Sequence, residues 1–550
     1  MKKHVLIPFC SALLLSLSAC SFFISSSSHA SSLSEERTSS TDTSNSNDTD
    51  ASSTGDNSTS SVSTDAYHKV TPNVNTKLTD IADNTPSTGT QPILVFPITF
   101  TGTTFTDSEL QDIKTLTSGT AEDTHYWESL KSFYQKSSYG QLNLTFTYSD
   151  PISLGMSAET FYSTYTKTED QQDYAAGAAY ALKKAVSTYQ KNGGDTKPFD
   201  TNHDGFIDSV IMIYAQDASP SYDEHMFYWA YRYYDYWNSS CTALSDTIEG
   251  NIDKPVGFSY FWASLSFFYQ YVGGRSGHGN KIDAHTLIHE FGHMLGADDY
   301  YNVDANDSSS TGPSDEPSGC KNMMAFNVMD HDIFNKLQYS WVEPYYVTDN
   351  CEITIRPSES TGDCIVLSDL NGWNETAFDE YVIIELYTPT GLNEQDSTTV
   401  YPQMSGVWSS SGISRSGIRM WHVDNRLAKA DSSGNVTSWY TDAEVKAGNF
   451  GDQYYPVIAV SNSESYDNGP AEGKGFNALS LISSLGTKFT SYRPVTNLDL
   501  FHTGDHFSLS QSKYQKYFAN TSHFNNGNDF PWTIEVVSCD DESATLRFSK

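Results

Sequence analysis

Basic residues are scarce in this chain: Lys and Arg total 32 against 68 Asp and Glu, a formal charge of −36. Such a chain repels phosphate backbones and anionic lipid surfaces at long range, so no nucleic-acid partner is expected. Cysteine is sparse as well, seven in 550 residues, with no CxxC and no Cys/His spacing of the zinc-finger kind, which excludes a thiolate metal site. The apolar run from Val5 through Leu17 is too short to cross a bilayer as a permanent helix. No internal repeat is visible, so a solenoid is excluded. What is abundant is aromatic: 35 Tyr, 29 Phe and 10 Trp. At 550 residues the chain exceeds one ordinary core, and two or more domains with tails are expected.

The N-terminus indicates the compartment. Lys2 and Lys3 precede the apolar run, and Leu17-Ser18-Ala19-Cys20 resembles a bacterial lipobox, in which the Cys becomes lipid-modified after cleavage. An ordinary secretory signal with an incidental Cys20 is the alternative. Residues 1–19 are thus expected to be a signal peptide. From Ser21 to Thr64, Ser and Thr supply 25 of 44 residues, too little apolar surface to offset ordering entropy. Residues 20–65 therefore read as a disordered tether, about 35–40 Å between its ends. Residues 66–89 read as a linker or pro-like segment. Of the cysteines beyond Cys10 and Cys20, Cys351 and Cys364 bracket a plausible hairpin and are the first disulfide expectation, with unpaired thiols as the alternative.

Order is expected from near Pro92, where ILVFPITF has buried-strand character. Trp127, Leu130 and Tyr134 share a helical face, LNLTFTY alternates as a strand, and a helix is expected from about Asp170 to Lys191. Strands and helices alternate over 90–345, which argues for an α+β catalytic domain. Beyond Pro344 come short β-rich runs, so 346–550 is expected to be a β-rich C-terminal region, a β-sandwich in architecture.

Residues 283–300 read DAHTLIHEFGHMLGADDY, with Asp283 as the expected N-cap and Gly296 as terminator of a buried helix. His289 and His293, at i and i+4, project from one face and can converge on Zn²⁺. Glu290 lies beside them, placed to accept a proton from water. The HExxH pattern alone would arise by chance in on the order of one chain in fifty of this length. A catalytic zinc needs a third protein ligand and an open position. Asp299 stands where HExxHxxGxxH enzymes place theirs; Asp298, by a register slip, and Glu316, in the loop GPSDEPSG, are the rivals.

At these residues the chain resembles the immune inhibitor A family of metallopeptidases, whose motif is HExxHxxGxxD. Further likeness lies in SSYGQLNL (137–144), FDTNHDGFIDSVIMIYA (199–215), FNVMDHDIFNKLQYSWVEP (326–344), EYVIIELY (380–387) and GIRMWHVD (417–424). The resemblance implies a metzincin-like fold with Met329 in a turn beneath the zinc, Met323 and Met324 competing for that role. Metzincins commonly carry Tyr two residues past that Met; here it is His331, which leaves the oxyanion-stabilising group unassigned. His285 reads as a supporting residue one turn before His289, and His422 as a structural histidine.

A second metal is expected at Asp200, Asn202, Asp204, the Phe206 carbonyl and Asp208, with Gly205 between them. These oxygens suit Ca²⁺, although Ile211 replaces the final Glu of an EF-hand; an Asx-rich turn is the alternative. Together the residues indicate an extracytoplasmic zinc metalloendopeptidase of protein or peptide substrates, lipid-anchored through Cys20 at the bacterial cell surface. A monomer is expected, and release by cleavage of the tether is allowed for. The alternative is a catalytically inactive surface adhesin on a peptidase scaffold.

Overall fold

The computed structural model describes residues 66–72, 85–120, 127–165, 174–217, 230–234, 250–269, 282–303, 315–325, 328–399, 412–431, 435–451, 453–463 and 476–550. The expected signal peptide, Cys20 and the tether lie outside them, as does Cys241. Among the described residues no helix is long and apolar enough to cross a membrane. The architecture is α+β, with several sheets and helices packed between them.

Ordered chain begins earlier than Pro92: β1 (Tyr67–Lys69) pairs with a strand nearly 280 residues away in sequence, Tyr345–Val347. The first large sheet contains β2 (Gly89–Thr99), β3 (Leu142–Tyr148), β4 (Val210–Tyr214), β5 (Tyr231–Tyr234) and β6 (Ser259–Ser264), in the order β3-β2-β4-β6-β5. All its pairs are parallel except β5 with β6. The helices that matter here are α1 (Leu130–Ser137), α2 (Tyr174–Lys191), α3 (His285–Met294) and α4 (Ile333–Gln338). Strand β2 reads as a continuous apolar run because both faces are covered. Ile93 and Val95 pack with α1 and α3, while Leu94, Phe96 and Ile98 pack with α2. Trp127 lies in the same core as Leu130 and Tyr134, but the helix itself starts at Leu130 behind a Ser129/Ser132 capping box.

Past α4 the chain supplies β7 (Tyr345–Val347), β8 (Cys351–Ile355), β9 (Cys364–Leu367), β10 (Glu380–Tyr387), β11 (Gly417–Asp424), β12 (Leu479–Leu481), β13 (His506–Phe507), β14 (Thr533–Cys539) and β15 (Ala544–Ser549). One sheet runs β1-β7-β9-β10-β11-β12; another, antiparallel throughout, runs β8-β15-β14-β13. Strand β10 shows why they stack. Its side chains alternate: Val382, Ile384 and Leu386 share a core with Ile353, Ile534 and Leu546 of the antiparallel sheet, while Tyr381 and Ile383 join the core beneath α3. Apolar packing is therefore continuous across residue 345.

The expected Cys351–Cys364 disulfide is corrected. Cys351 sits on β8 and Cys364 on β9, strands of different sheets, and both are free thiols, as are Cys320 and Cys539. The segment between them is no hairpin: Ser358–Thr361 form one helical turn, and Gly362, at φ +71°, sends the chain into the other sheet.

A buried ion pair ties these layers together. Lys336 Nζ on α4 lies 2.6 Å from Asp330 Oδ2, each side chain only 2–3% exposed. Ser137 at the end of α1 donates to Asp330 Oδ1 at 2.5 Å, and Lys336 also donates to Tyr139 Oη at 3.0 Å. Tyr139 in turn donates to the Ser358 carbonyl. Burial works to lower Lys336, but Asp330 and Tyr139 outweigh it and hold the ammonium well above its ordinary range. Lys336→Ala would leave Asp330 buried and uncompensated, and is expected to cost about 3–5 kcal/mol in denaturant unfolding. A loss below about 1 kcal/mol would show that the pair does not hold the layers.

Candidate metal centre

Helix α3 is buried along its whole length. Its N-cap is Ala284 rather than the expected Asp283, and Ala284 makes no side-chain cap bond. The Asp283 carboxylate instead accepts the His285 amide at 2.9 Å, so it still pairs an orphan donor of the first turn. At the other end Gly296 adopts φ +103°, and the Ala297 amide returns to the Gly292 carbonyl at 3.1 Å. This left-handed turn folds the following residues back under the helix.

The turn brings Asp299 to the two histidines. His289 Nε2 lies 3.1 Å and His293 Nε2 3.3 Å from Asp299 Oδ1. His289 Nδ1 is 2.9 Å from the Met323 carbonyl, and His293 Nδ1 is 2.9 Å from the Ala297 carbonyl. A carbonyl only accepts, so each Nδ1 carries a proton and Nε2 is the ring atom turned toward Asp299. The three ligand atoms lie within 4.8 Å of one another in a buried site. Among the described residues no other group of three His, Cys, Asp or Glu converges in this way.

Two ring nitrogens crowded on a carboxylate in the interior need positive charge among them, from a metal ion or a proton. His293 Nε2 and Asp299 Oδ2 have no hydrogen-bond partner, which is what a metal site looks like from the protein's side. In the metal-free chain a proton takes that role. Burial works to lower His293, but Asp299 and, less strongly, Glu290 overcome it and hold the imidazole at about 9. Burial works to raise Asp299, and the two imidazoles outweigh it, keeping the carboxyl well below its usual range. The donor set fits a divalent metal with imidazole and carboxylate ligands.

Glu290 is fully buried and does not belong to the ligand group. Its Oε2 accepts the main-chain amide of Arg232 on β5 at 2.9 Å. The rivals for the third ligand place turn elsewhere. Asp298 Oδ1 accepts the amide of Asp299 at 2.9 Å, and burial with the neighbouring Asp299 charge pushes Asp298 up to about 6. Glu316 accepts the Asn302 amide at 3.1 Å. His285 lies one turn before His289, its ring tilted to that of His289 with 6.5 Å between centroids.

His331 is enclosed by Phe133, Tyr134, Tyr339 and Trp341. Burial, with the nearby Lys336 charge, keeps it neutral well below its ordinary range. Met329 is buried in the core beneath α3. Direct contacts to the ligand helix come from the preceding segment: Met323 through its carbonyl on His289, and Met324, whose Sδ would meet a Cβ on Gly292 at 2.6 Å. His422 lies in the middle of β11, with Nδ1 2.9 Å from the Tyr517 carbonyl and Nε2 2.9 Å from Glu380 Oε1. Sequence reasoning named Met323 only as a rival for the Met-turn, not for its carbonyl, and it missed Ala297 and Arg232. All three act through the main chain, which leaves no signal in residue type.

The expected calcium loop is closed by its own amides. Asp200 accepts from Asp204 N at 3.1 Å and Gly205 N at 3.0 Å, and Asp204 accepts from Phe206 N at 2.8 Å. Asn202 Oδ1 also accepts from Asp204 N at 3.1 Å. Asp208 accepts twice from Thr201, yet burial, helped by Asp204 and Asp200, pushes it up to about 6. Gly205, at φ +94°, is required there because a Cβ would meet Asn251 N at 2.3 Å.

A comparison with models of known protein families finds no match, and none is found among curated proteins.

Glu316 separates the two rival ligand assignments by pH. Burial pushes its carboxyl up to about 8, so the folded chain holds that proton more tightly than the unfolded chain. Its contribution to stability is present below about 4.5 and is lost as pH rises through 8. Glu316→Gln is expected to flatten the fall in thermal midpoint between pH 5 and 8 while leaving metal content unchanged. Loss of metal in that variant would make Glu316 the third ligand.

Proposed function

We propose that the chain is a zinc metalloendopeptidase of metzincin-like type, related to the immune inhibitor A peptidases. Export and anchoring to the bacterial surface through Cys20 are part of this reading. The observation that carries it is the convergence of His289, His293 and Asp299 in a buried site, both imidazoles fixed in one tautomer, with Glu290 adjacent on the same helix. Three protein ligands with a position left open are what a hydrolytic zinc site requires. When bound there, zinc supplies a Lewis acid that polarises a scissile carbonyl and acidifies water.

The chain's own residues do the rest. His289, His293 and Asp299 hold the ion, and the Met323 and Ala297 carbonyls keep the rings in register. Glu290 accepts a proton from the attacking water and passes it to the leaving amine. Protein or peptide substrates follow from this chemistry, and a nucleic acid is not among the partners proposed.

The test separates base from ligand. Glu290→Gln is expected to retain bound zinc and lose casein hydrolysis by at least about 100-fold. His289→Ala, His293→Ala and Asp299→Ala should each lose zinc and turnover together, while Asp298→Ala keeps its zinc. A protein that binds zinc but cleaves no unfolded substrate would instead be the inactive adhesin. Full activity of Glu290→Gln would end the mechanism.

We also propose a structural Ca²⁺ at Asp200, Asn202, Asp204, Phe206 and Asp208. The support is the sequence spacing, which puts oxygen side chains at loop positions 1, 3, 5 and 9 with Gly205 at the sixth. Selective removal of calcium is expected to lower the melting temperature without removing zinc. A melting curve unmoved by added Ca²⁺ would leave the loop as a hydrogen-bonded turn.

A further inference from the structure

Strand β5 is the outermost strand of the first sheet among the described residues, and it pairs antiparallel with β6, Arg232 opposite Phe261. In an antiparallel ladder, amides along one strand point alternately toward the partner and away from it. The Arg232 amide is used on Glu290 Oε2 at 2.9 Å, so it belongs to the set that points away from β6. An amide on an outer sheet edge normally meets water or another strand. Here it meets the carboxylate placed next to the two metal-ligating histidines.

We infer that the main-chain amide of Arg232 positions Glu290 for proton transfer, an inference that rests on the peptidase reading. The bond is charge-assisted, from a neutral N–H to a buried carboxylate, and such bonds are short and directional. The sheet edge is rigid because β5 is bonded to β6 and β6 to β4, so the carboxylate is referenced to the sheet as well as to its own helix. A one-turn rotamer change of Glu290 would break this bond. Arg232 is thus a positioning residue, and its action is independent of its side chain.

Two variants isolate the amide. Arg232→Pro removes it, and proline is tolerated on an outer strand when the missing N–H faces away from the ladder. Arg232→Ala removes the same side chain and keeps the amide. In the zinc-loaded full chain, kcat of Arg232→Pro on a peptide substrate is expected to fall at least about tenfold below that of Arg232→Ala. KM and zinc content should match between the two. Equal kcat values overturn the inference. Hydrogen exchange supplies a second measurement that needs no turnover: the Arg232 amide should exchange slowly in the wild type and faster in Glu290→Ala. Unchanged exchange overturns the contact. This arm also decides the matter if Arg232→Pro does not fold. If no variant cleaves any substrate, the peptidase reading fails while the exchange result still judges the contact.

Discussion

A helix buried on all sides that carries three histidines and a glutamate imposes the constraint on which this structure depends. Polar groups on α3 need partners from the protein, because the helix is buried. The surrounding layers supply them. Met323 and Ala297 offer carbonyls to the imidazoles, Arg232 offers an amide to Glu290, and Tyr134 and Tyr339 donate to the Ile288 and Gly292 carbonyls. These partners come from the first sheet, from α1, from the turn after α3 itself, from the segment before α4 and from α4's end. The site is therefore a product of how the layers meet, with the helix as the common element.

The charge imbalance of the chain meets the same constraint in the interior. Basic residues are few, and several of them are used inside against acids: Lys336 with Asp330, Arg419 with Glu385 at 2.8 Å, and Arg426 with Asp424 at 2.8 Å. Buried pairs of this kind contribute little net stability, but breaking one leaves a charge that cannot be solvated. Their value here is geometric. The Lys336 pair holds α1, α4 and the turn at Ser358 at fixed distances below the ligand helix. Among the described residues no ammonium or guanidinium pairs with Asp299, and the two imidazoles provide the compensation.

Much was legible in residue order alone where the relevant physics is local. Spacing of i and i+4 puts His289 and His293 on one face whatever the rest of the chain does, and Gly296 permits the reversal that only a residue without Cβ adopts easily. Alternation in LNLTFTY and the β-rich runs EYVIIELY and GIRMWHVD likewise mark strands. The same reasoning misplaced the helix cap by one residue and took the interval between Cys351 and Cys364 for a hairpin. Both errors have one source: neighbouring positions compete for a role, and the choice between them is made by backbone angles that distant packing sets.

By itself the sequence determined the helix, its ligand spacing, the glycine reversal and the acidic character of the chain, since each follows from local geometry or from composition. Only the tertiary structure decided which of Asp298 and Asp299 faces the imidazoles, which tautomer each ring adopts, what holds Glu290, and that β1 joins a sheet with Tyr345–Val347. Those depend on main-chain carbonyls and amides brought together from far along the chain. Main-chain groups are chemically alike at every residue, so their placement is invisible until the fold has closed.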